Sequence, residues 1–370
     1  MEHERSSENV RVVMNRPLAR WSWRRRDILS LALMSGLCLL DSSGNTAFSG
    51  QNDVAKSPQK TLAIMNKYNV PIAELSGLAI VRSSAGKNED KINLYGIGDA
   101  SYEIANFRIH ADPDDASVQP DSRRVQDVAH IIGRHTKDSS QWEAIAFDGE
   151  DTLCMLSETR GEITCLDRGL QNDLGSFSLD VSSIGSLDSA WEAHPNSRGE
   201  GMILMKKGHV LVLKEKQPSM LIEFGPEGDA PMGYGPDTFL QKGDKFIVPR
   251  PGSPGRPSRL VALKAWEFSK SLRGLASDAS EITLGPDGRI YLLSQESSTL
   301  IRLQKILKTD EDKAGLDQDA YWNLPAGLEK AEGLIIDDDM HPWVGIDVKQ
   351  ASKHNLFRLS PIDMDARAPE

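Results

Sequence analysis

From residue 70 onward the chain is written as short apolar runs set between clusters of Gly, Asp, Pro and Ser. KINLYGIGD, DTLCMLSE, HVLVLKE, KFIVP, RIYLLSQ and PWVGID have the length and aliphatic content of strands. A polar turn and a second apolar run follow each: EIANFRI, GEITCLD, SMLIEF, RLVALKAW, TLIRL and NLFRL. Ahead of most stands another short run: LSGLAIV, WEAIAF, EGMILM, SEITL or AEGLII. Helical periods are scarce. The pattern predicts a unit of at least three hairpin-joined strands, repeated at irregular intervals.

The acids fix the register of that unit. Glu143 and Glu158 are fifteen residues apart, as are Glu200 and Glu215, Glu281 and Glu296, and Glu332 and Asp347. The first acids fall 57, 81 and 51 residues apart, so insertions sit in the connections and the paired core keeps its length. A first copy runs from Ser76 to Asp99 around the longer turn SSAGKNEDK. A degenerate copy, Asp244 to Trp266, carries Arg250 where the second acid would stand. Six copies of about 50 residues, made only of short strands, predict an all-β fold, a six-bladed β-propeller. A blade cannot bury both faces alone, and its neighbours in a ring supply the core. A two-sheet sandwich explains neither six units nor the constant acid spacing. Residues 51–370 are therefore read as one propeller domain, with the stretch from 50 to about 70 a candidate closing strand.

The first fifty residues differ. Arg24-Arg25-Arg26 precedes thirteen mostly apolar residues from Ile28 to Leu40, and DSSGNTAFSG follows. That run is short for a bilayer span but suits the apolar core of an export signal. RRRDIL resembles the twin-arginine signal for exporting folded proteins, with cleavage expected between Ala47 and Gly50. The reading is a protein exported to the periplasm or the extracellular space. An uncleaved membrane anchor is the alternative, and would be the only membrane contact. Composition agrees with a folded, soluble body: mean hydropathy is −0.40 and 39% of residues are hydrophobic. With 43 basic and 54 acidic residues the net charge is −11, which disfavours a nucleic-acid partner. A cation, a small-molecule ligand or an envelope protein fits that balance better.

In a propeller the innermost strands line the axis, so Glu143, Glu200, Glu281 and Glu332 should form a ring. The second set, Glu158, Glu215, Glu296 and Asp347, should meet them at one axial mouth, because the start of one antiparallel strand lies beside the end of the next. Eight carboxylates there must be separated, protonated, paired with cations or bridged by a metal. Ca²⁺, which takes six to eight hard oxygens with tolerant geometry, is the expected ion. Repeated Glu can equally cap backbone N–H groups, a structural use. Arg160, Arg198, Lys214, Lys216, Arg250 and Arg273 are the basic residues that could neutralise the ring. Arg250 is the candidate anion contact. No HExxH, GxSxG, phosphate-loop or dinucleotide glycine pattern occurs. His209 and His341 read as turn residues, and Trp191 as a packing residue.

ELSGLAI (74–80), WEAIAF (142–147), EGMIL (200–204), AEGLII (331–336) and GRIYLLSQESSTLIRL (288–303) resemble the SdiA-regulated propeller family. They also resemble the wider group of phytase-like propellers labelled "esterase-like activity of phytase". The likeness covers roughly residues 70 to 362. It implies an exported, calcium-binding β-propeller with a binding or active face at one end of the channel. Two functions follow: a ligand- or partner-binding module, or a metal-dependent hydrolase of phosphoric or other esters. In the second, one of Glu200, Glu281 or Glu332 is the base and Arg250 holds the phosphate or leaving group. A lactonase-like propeller would need a compact Glu, Asn and Asp metal shell, and Asn is scarce at the strand ends.

Cys38 lies in the export segment, leaving Cys154 and Cys165. In DTLCMLSETRGEITCLD the two are equidistant from a turn at Thr159-Arg160, so they should face one another across neighbouring strands. A disulfide, two small core hydrophobes, or a metal or redox pair are the readings open to them.

Overall fold

The computed structural model describes residues 60–81, 91–110, 122–249, 258–309, 315–349 and 354–363. The N-terminal segment with Cys38, and Arg250, lie outside these residues. The propeller expected from the repeats is the fold that forms. Strand β1 (Ile64–Tyr68) precedes a first blade of β2 (Leu75–Val81), β3 (Lys91–Gly98), β4 (Glu103–His110) and β5 (Ser122–Asp127). The second blade holds β6 (Trp142–Phe147), β7 (Thr152–Ser157), β8 (Glu162–Asp167) and β9 (Asp173–Asp180). Helix α1 (Gly185–Ala193) leads to the third: β10 (Gly201–Leu204), β11 (Val210–Lys214), β12 (Met220–Gly225) and β13 (Arg259–Glu267). Helix α2 (Lys270–Leu275) precedes β14 (Glu281–Leu284), β15 (Ile290–Ser294), β16 (Thr299–Leu303) and β17 (Gln318–Asn323). The last blade is β18 (Ala331–Ile336), β19 (Pro342–Ile346) and β20 (Leu356–Leu359), completed by β1.

Neighbours within each blade pair antiparallel, and the inner strands β2, β6, β10, β14 and β18 contact one another in that order and back to β2. The N-terminal strand closes the ring: Tyr68 pairs with Leu356 and Ile64 with Leu359. The described residues thus hold five four-stranded blades. The expectation of six counted Asp244–Trp266 as a copy in its own right. That segment instead supplies β13, the outer strand of the third blade, and KFIV (245–248) forms no strand. β13 also runs parallel to β9 of the second blade, Leu260 against Leu179, which joins the two blades at their outer edges.

Burial follows from the ring. Five apolar cores fill the clefts between adjacent blades. Strands such as TLCMLS and VLVLK are buried along their whole length, because each blade packs on both faces and a period-two alternation has no solvent side to report. Cys154 and Cys165 are direct register partners on β7 and β8, their Cα atoms 4.1 Å apart, and they form a disulfide in the core between the second and third blades. Among the described residues no helix is long and apolar enough to cross a membrane.

Candidate functional site

The repeat acids gather at the end of the axis where the inner strands begin. In three blades the first-acid position is a β-bulge. Pairing skips Ser76 between Leu75 and Gly77, Glu143 between Trp142 and Ala144, and Glu332 between Ala331 and Gly333. A bulge leaves its residue out of the ladder and re-aims the side chain. Two positions ahead of each bulge a non-glycine residue takes the left-handed backbone: Glu74 (φ 54°), Gln141 (φ 52°) and Lys330 (φ 65°). Inter-blade hydrogen bonds hold two of them there. The Glu74 N–H donates to Val348 O at 3.0 Å, and that of Gln141 to Asp99 O at 2.9 Å. Each blade is thereby stitched to the turn that carries the second acid of the blade before it.

Glu143, Glu158 and Glu200 meet from the second and third blades. Burial, and then the Glu158 charge, push the Glu143 carboxyl up to about 9. Burial brings Glu158 to about 7, while a hydrogen bond from Glu200 pulls the other way. Glu200 lies well above the usual carboxyl range, through burial and the charges of Glu158 and Glu143. The Glu158 and Glu200 side chains interact directly, and each alters the other's affinity for a proton. Two coupled carboxyls of the same residue type therefore stand side by side in different environments.

The remaining acids surround this pair. Glu281 is 2% exposed; its Oε1 accepts the Ile282 N–H at 2.8 Å and its Oε2 has no partner. Burial, and then the field of Glu143, raise it well above the usual carboxyl range, against the Ile282 hydrogen bond. Glu332 is pushed up to about 8 by burial and then by Asp347. Asp99 is raised by burial and by Glu74, to which it is hydrogen-bonded. These first-blade members, with Ser76, are candidate site positions that the fifteen-residue spacing misses, because the longer turn hides Asp99 and a serine replaces the first acid. Lys330 donates to Asp347, Lys216 donates to Glu215 at 2.6 Å, and Lys349 approaches Glu74 at 3.8 Å. Glu296 stands apart, exposed at the rim, with Ser277 Oγ donating to it at 3.2 Å.

Of the other basic residues expected to neutralise the ring, Arg198 acts on Glu158 through its field alone. Its guanidinium donates to the Trp191 and Thr159 carbonyls. Arg160 donates to the Ser140 and Ser139 carbonyls, and Arg273 faces Glu267 at 3.6 Å. Lys214 is wholly buried against Ser197 and the Lys216 carbonyl. Trp191 packs on Phe224. The His341 ring meets the Leu359 carbonyl at 2.7 Å. His209 is more than a turn residue: it is wholly buried between Glu223 (2.7 Å) and Asp229 (3.2 Å).

Carboxylate oxygens are calcium's chemistry, yet among the described residues no three His, Cys, Asp or Glu side chains stand together so as to hold a metal ion. Among the described residues the mouth holds raised carboxyls and the lysine pairs Lys216–Glu215 and Lys330–Asp347.

No protein-family model matches the chain, and no curated protein matches it. Among solved structures it is similar to the Myxococcus xanthus glutaminyl cyclase, at 14% identity and TM-score 0.43, over 82% of this chain and 98% of that one. It is also similar to the PQQ-bound aldose sugar dehydrogenase of Streptomyces coelicolor, at 10% identity and TM-score 0.42, over 83% and 99% of the two chains. A third likeness is to virginiamycin B lyase from Staphylococcus aureus, at 10% identity and TM-score 0.37, over 82% and 89%. The propeller assignment rests on the sheets and ring contacts already described.

Proposed function

We propose that the chain is an ester hydrolase working by general acid–base catalysis at the acidic end of its channel. What supports this reading is the Glu158–Glu200 pair, two interacting buried carboxyl groups brought together from neighbouring blades, both raised above the usual carboxyl range. Glu158 takes a proton from the attacking water as that water adds to the ester carbonyl. Glu200 gives its proton to the departing alkoxide. The proton then returns from Glu158 to Glu200 along the hydrogen bond they share, and the site is reset. A base near pH 7 beside an acid well above it suits such a cycle. Glu143, Glu281 and Glu332 keep the surroundings protonated and low in charge. The likeness of the repeats to SdiA-regulated and phytase-like propellers is compatible with an active face at this end of the channel, and the Cys154–Cys165 disulfide supports export to an oxidising compartment. Calcium has suitable donors here but no assembled shell among the described residues, so no step is routed through it.

The test is the pH profile of p-nitrophenyl acetate hydrolysis. We expect a bell, rising through about pH 7 as Glu158 ionises and falling as Glu200 loses its proton. Glu158→Gln and Glu200→Gln should each lower kcat by about 10²–10⁴, with the rising limb gone in E158Q. Activity that dies in EDTA and returns with Ca²⁺ would hand the chemistry to the ion. A profile with no inflection near pH 7 would remove Glu158 as the base.

A further inference from the structure

Beyond the acids the same five inner strands turn apolar. They enclose a cavity of about 300 Å³, to which every blade gives a wall residue: Leu78, Ile145, Met202, Ile282 and Ile335. Ile282 follows Glu281 directly and Ile145 stands two residues after Glu143. At about 3.3 Å of rise per residue, the acids lie within ~3–7 Å of the cavity wall along the axis. Residues 240–242 line the far end. The loop that carries them is fastened to the β6–β7 turn: the Gly243 N–H donates to Glu150 at 3.0 Å and that of Phe246 to Asp148 at 3.1 Å. Lys242 is the one cation among the described lining residues, and Asp148 and Glu150 are its acids.

We infer that the substrate is an ester with an uncharged, apolar acyl tail, seated in this cavity with its carbonyl at Glu158 and Glu200. The inference rests on the hydrolytic reading above and names its substrate class. Three features carry it. The cavity wall begins one or two residues beyond Glu281, Glu143 and Glu200 on the same inner strands, it has the size of a small-molecule site, and apolar residues of all five blades line it. A phosphate ester fits badly, because its charge would lie between a carboxyl cluster whose lysines, Lys216 and Lys330, are engaged with Glu215 and Asp347 and an apolar wall whose one cation among the described lining residues is Lys242. A neutral carboxylic ester needs no counter-ion.

The experiment uses the full chain and p-nitrophenyl esters from acetate to decanoate, with p-nitrophenyl phosphate beside them and 1-hexanol binding measured by calorimetry. We expect kcat/KM to climb about fourfold per methylene, as each CH₂ leaves water, up to about hexanoate and then level off. Turnover of the phosphate should be absent. Ala146→Phe, which fills the cavity, should move the optimum to shorter esters and abolish hexanol binding. Thr283→Leu, at a half-buried wall position, makes the same test if A146F does not melt cooperatively. Hydrolysis that is flat in chain length, with no hexanol bound, overturns the cavity and leaves the hydrolytic reading standing. Hexanol bound by the wild type and lost in the variants, with no ester cleaved, overturns the hydrolytic reading and keeps the apolar occupant. Phosphate cleaved faster than hexanoate overturns the substrate class.

Discussion

Gly77, Gly201 and Gly333 each follow the first acid, or its serine counterpart, in three different blades, and each meets the next blade at close range. A Cβ on Gly77 would stand 3.1 Å from Ile145, one on Gly333 3.0 Å from Leu78, and one on Gly201 2.5 Å from the Ile282 nitrogen. Ala144 holds the same place in the second blade. Small residues let the inner strands close on the axis, and that closeness buries the carboxyls and then presses them together, both of which raise their pKa values. Gly201 is the sharpest case, because its missing Cβ also leaves room for Glu281 Oε1, 2.7 Å away. Gly201→Ala should cost about 1–3 kcal/mol in urea unfolding, as overpacked cores do. It should also lower hydrolysis by displacing Glu281. Gly185→Ala, with open space around it, is the control and should change stability by less than about 0.5 kcal/mol. Equal stabilities for the two variants would show that the inner strands yield.

At the scale of elements, the site is made by how each inner strand is entered. A left-handed residue, one extended residue and a bulge recur ahead of β2, β6 and β18. Left-handed backbone costs an L-residue roughly 1–2 kcal/mol, and at Gln141 the bond to Asp99 O holds it in place. Gln141→Gly should therefore leave stability equal or raise it by about 1 kcal/mol. Gln141→Val, whose branched side chain suits that backbone least, should lower it by about 1–3 kcal/mol. Thermal or urea unfolding of the pair decides the point, and a valine variant as stable as the glycine one would remove the strain. Sequence made part of this entry legible. The constant acid spacing follows from strands and turns of constant length, so four pairs could be read directly. The first-blade pair was harder, because Ser76 is no acid and the turn before Asp99 is longer. Nothing in apolar runs such as EGMIL or SEITL marks an axial cavity, since strands buried on both faces lack the alternation that would reveal a lined side. Nor could the outer strands be assigned by spacing: β13 arrives after a 33-residue connection from β12, and so resembled a blade of its own.

For the molecule as a whole, closure turns a local arrangement of acids into a liability that depends on pH. The ring is shut by β1 on β20, and closing it brings carboxyls from every blade to one mouth of a chain whose net charge is already −11. Glu143, Glu158 and Glu332 have folded-state values of about 9, 7 and 8, against an ordinary value of 4.5. Between that ordinary value and the raised ones the folded protein holds more protons than the unfolded chain, so stability must fall as pH rises across the interval. Their contribution is complete below about pH 4.5 and is lost progressively toward pH 9. Urea unfolding should therefore show a decline between pH 5 and pH 9, opposite in slope to a protein whose carboxylates are salt-bridged. Because Glu143 and Glu158 titrate together, removing one charge relieves both. Glu143→Gln should flatten the decline and, at pH 9, stabilise the fold on the order of 2–4 kcal/mol, with little effect at pH 5. A wild type whose stability rises from pH 5 to pH 9 would mean that the carboxyls are ionised and compensated in the folded state. The shared proton between Glu158 and Glu200, and the chemistry assigned to it, would then fall with that result.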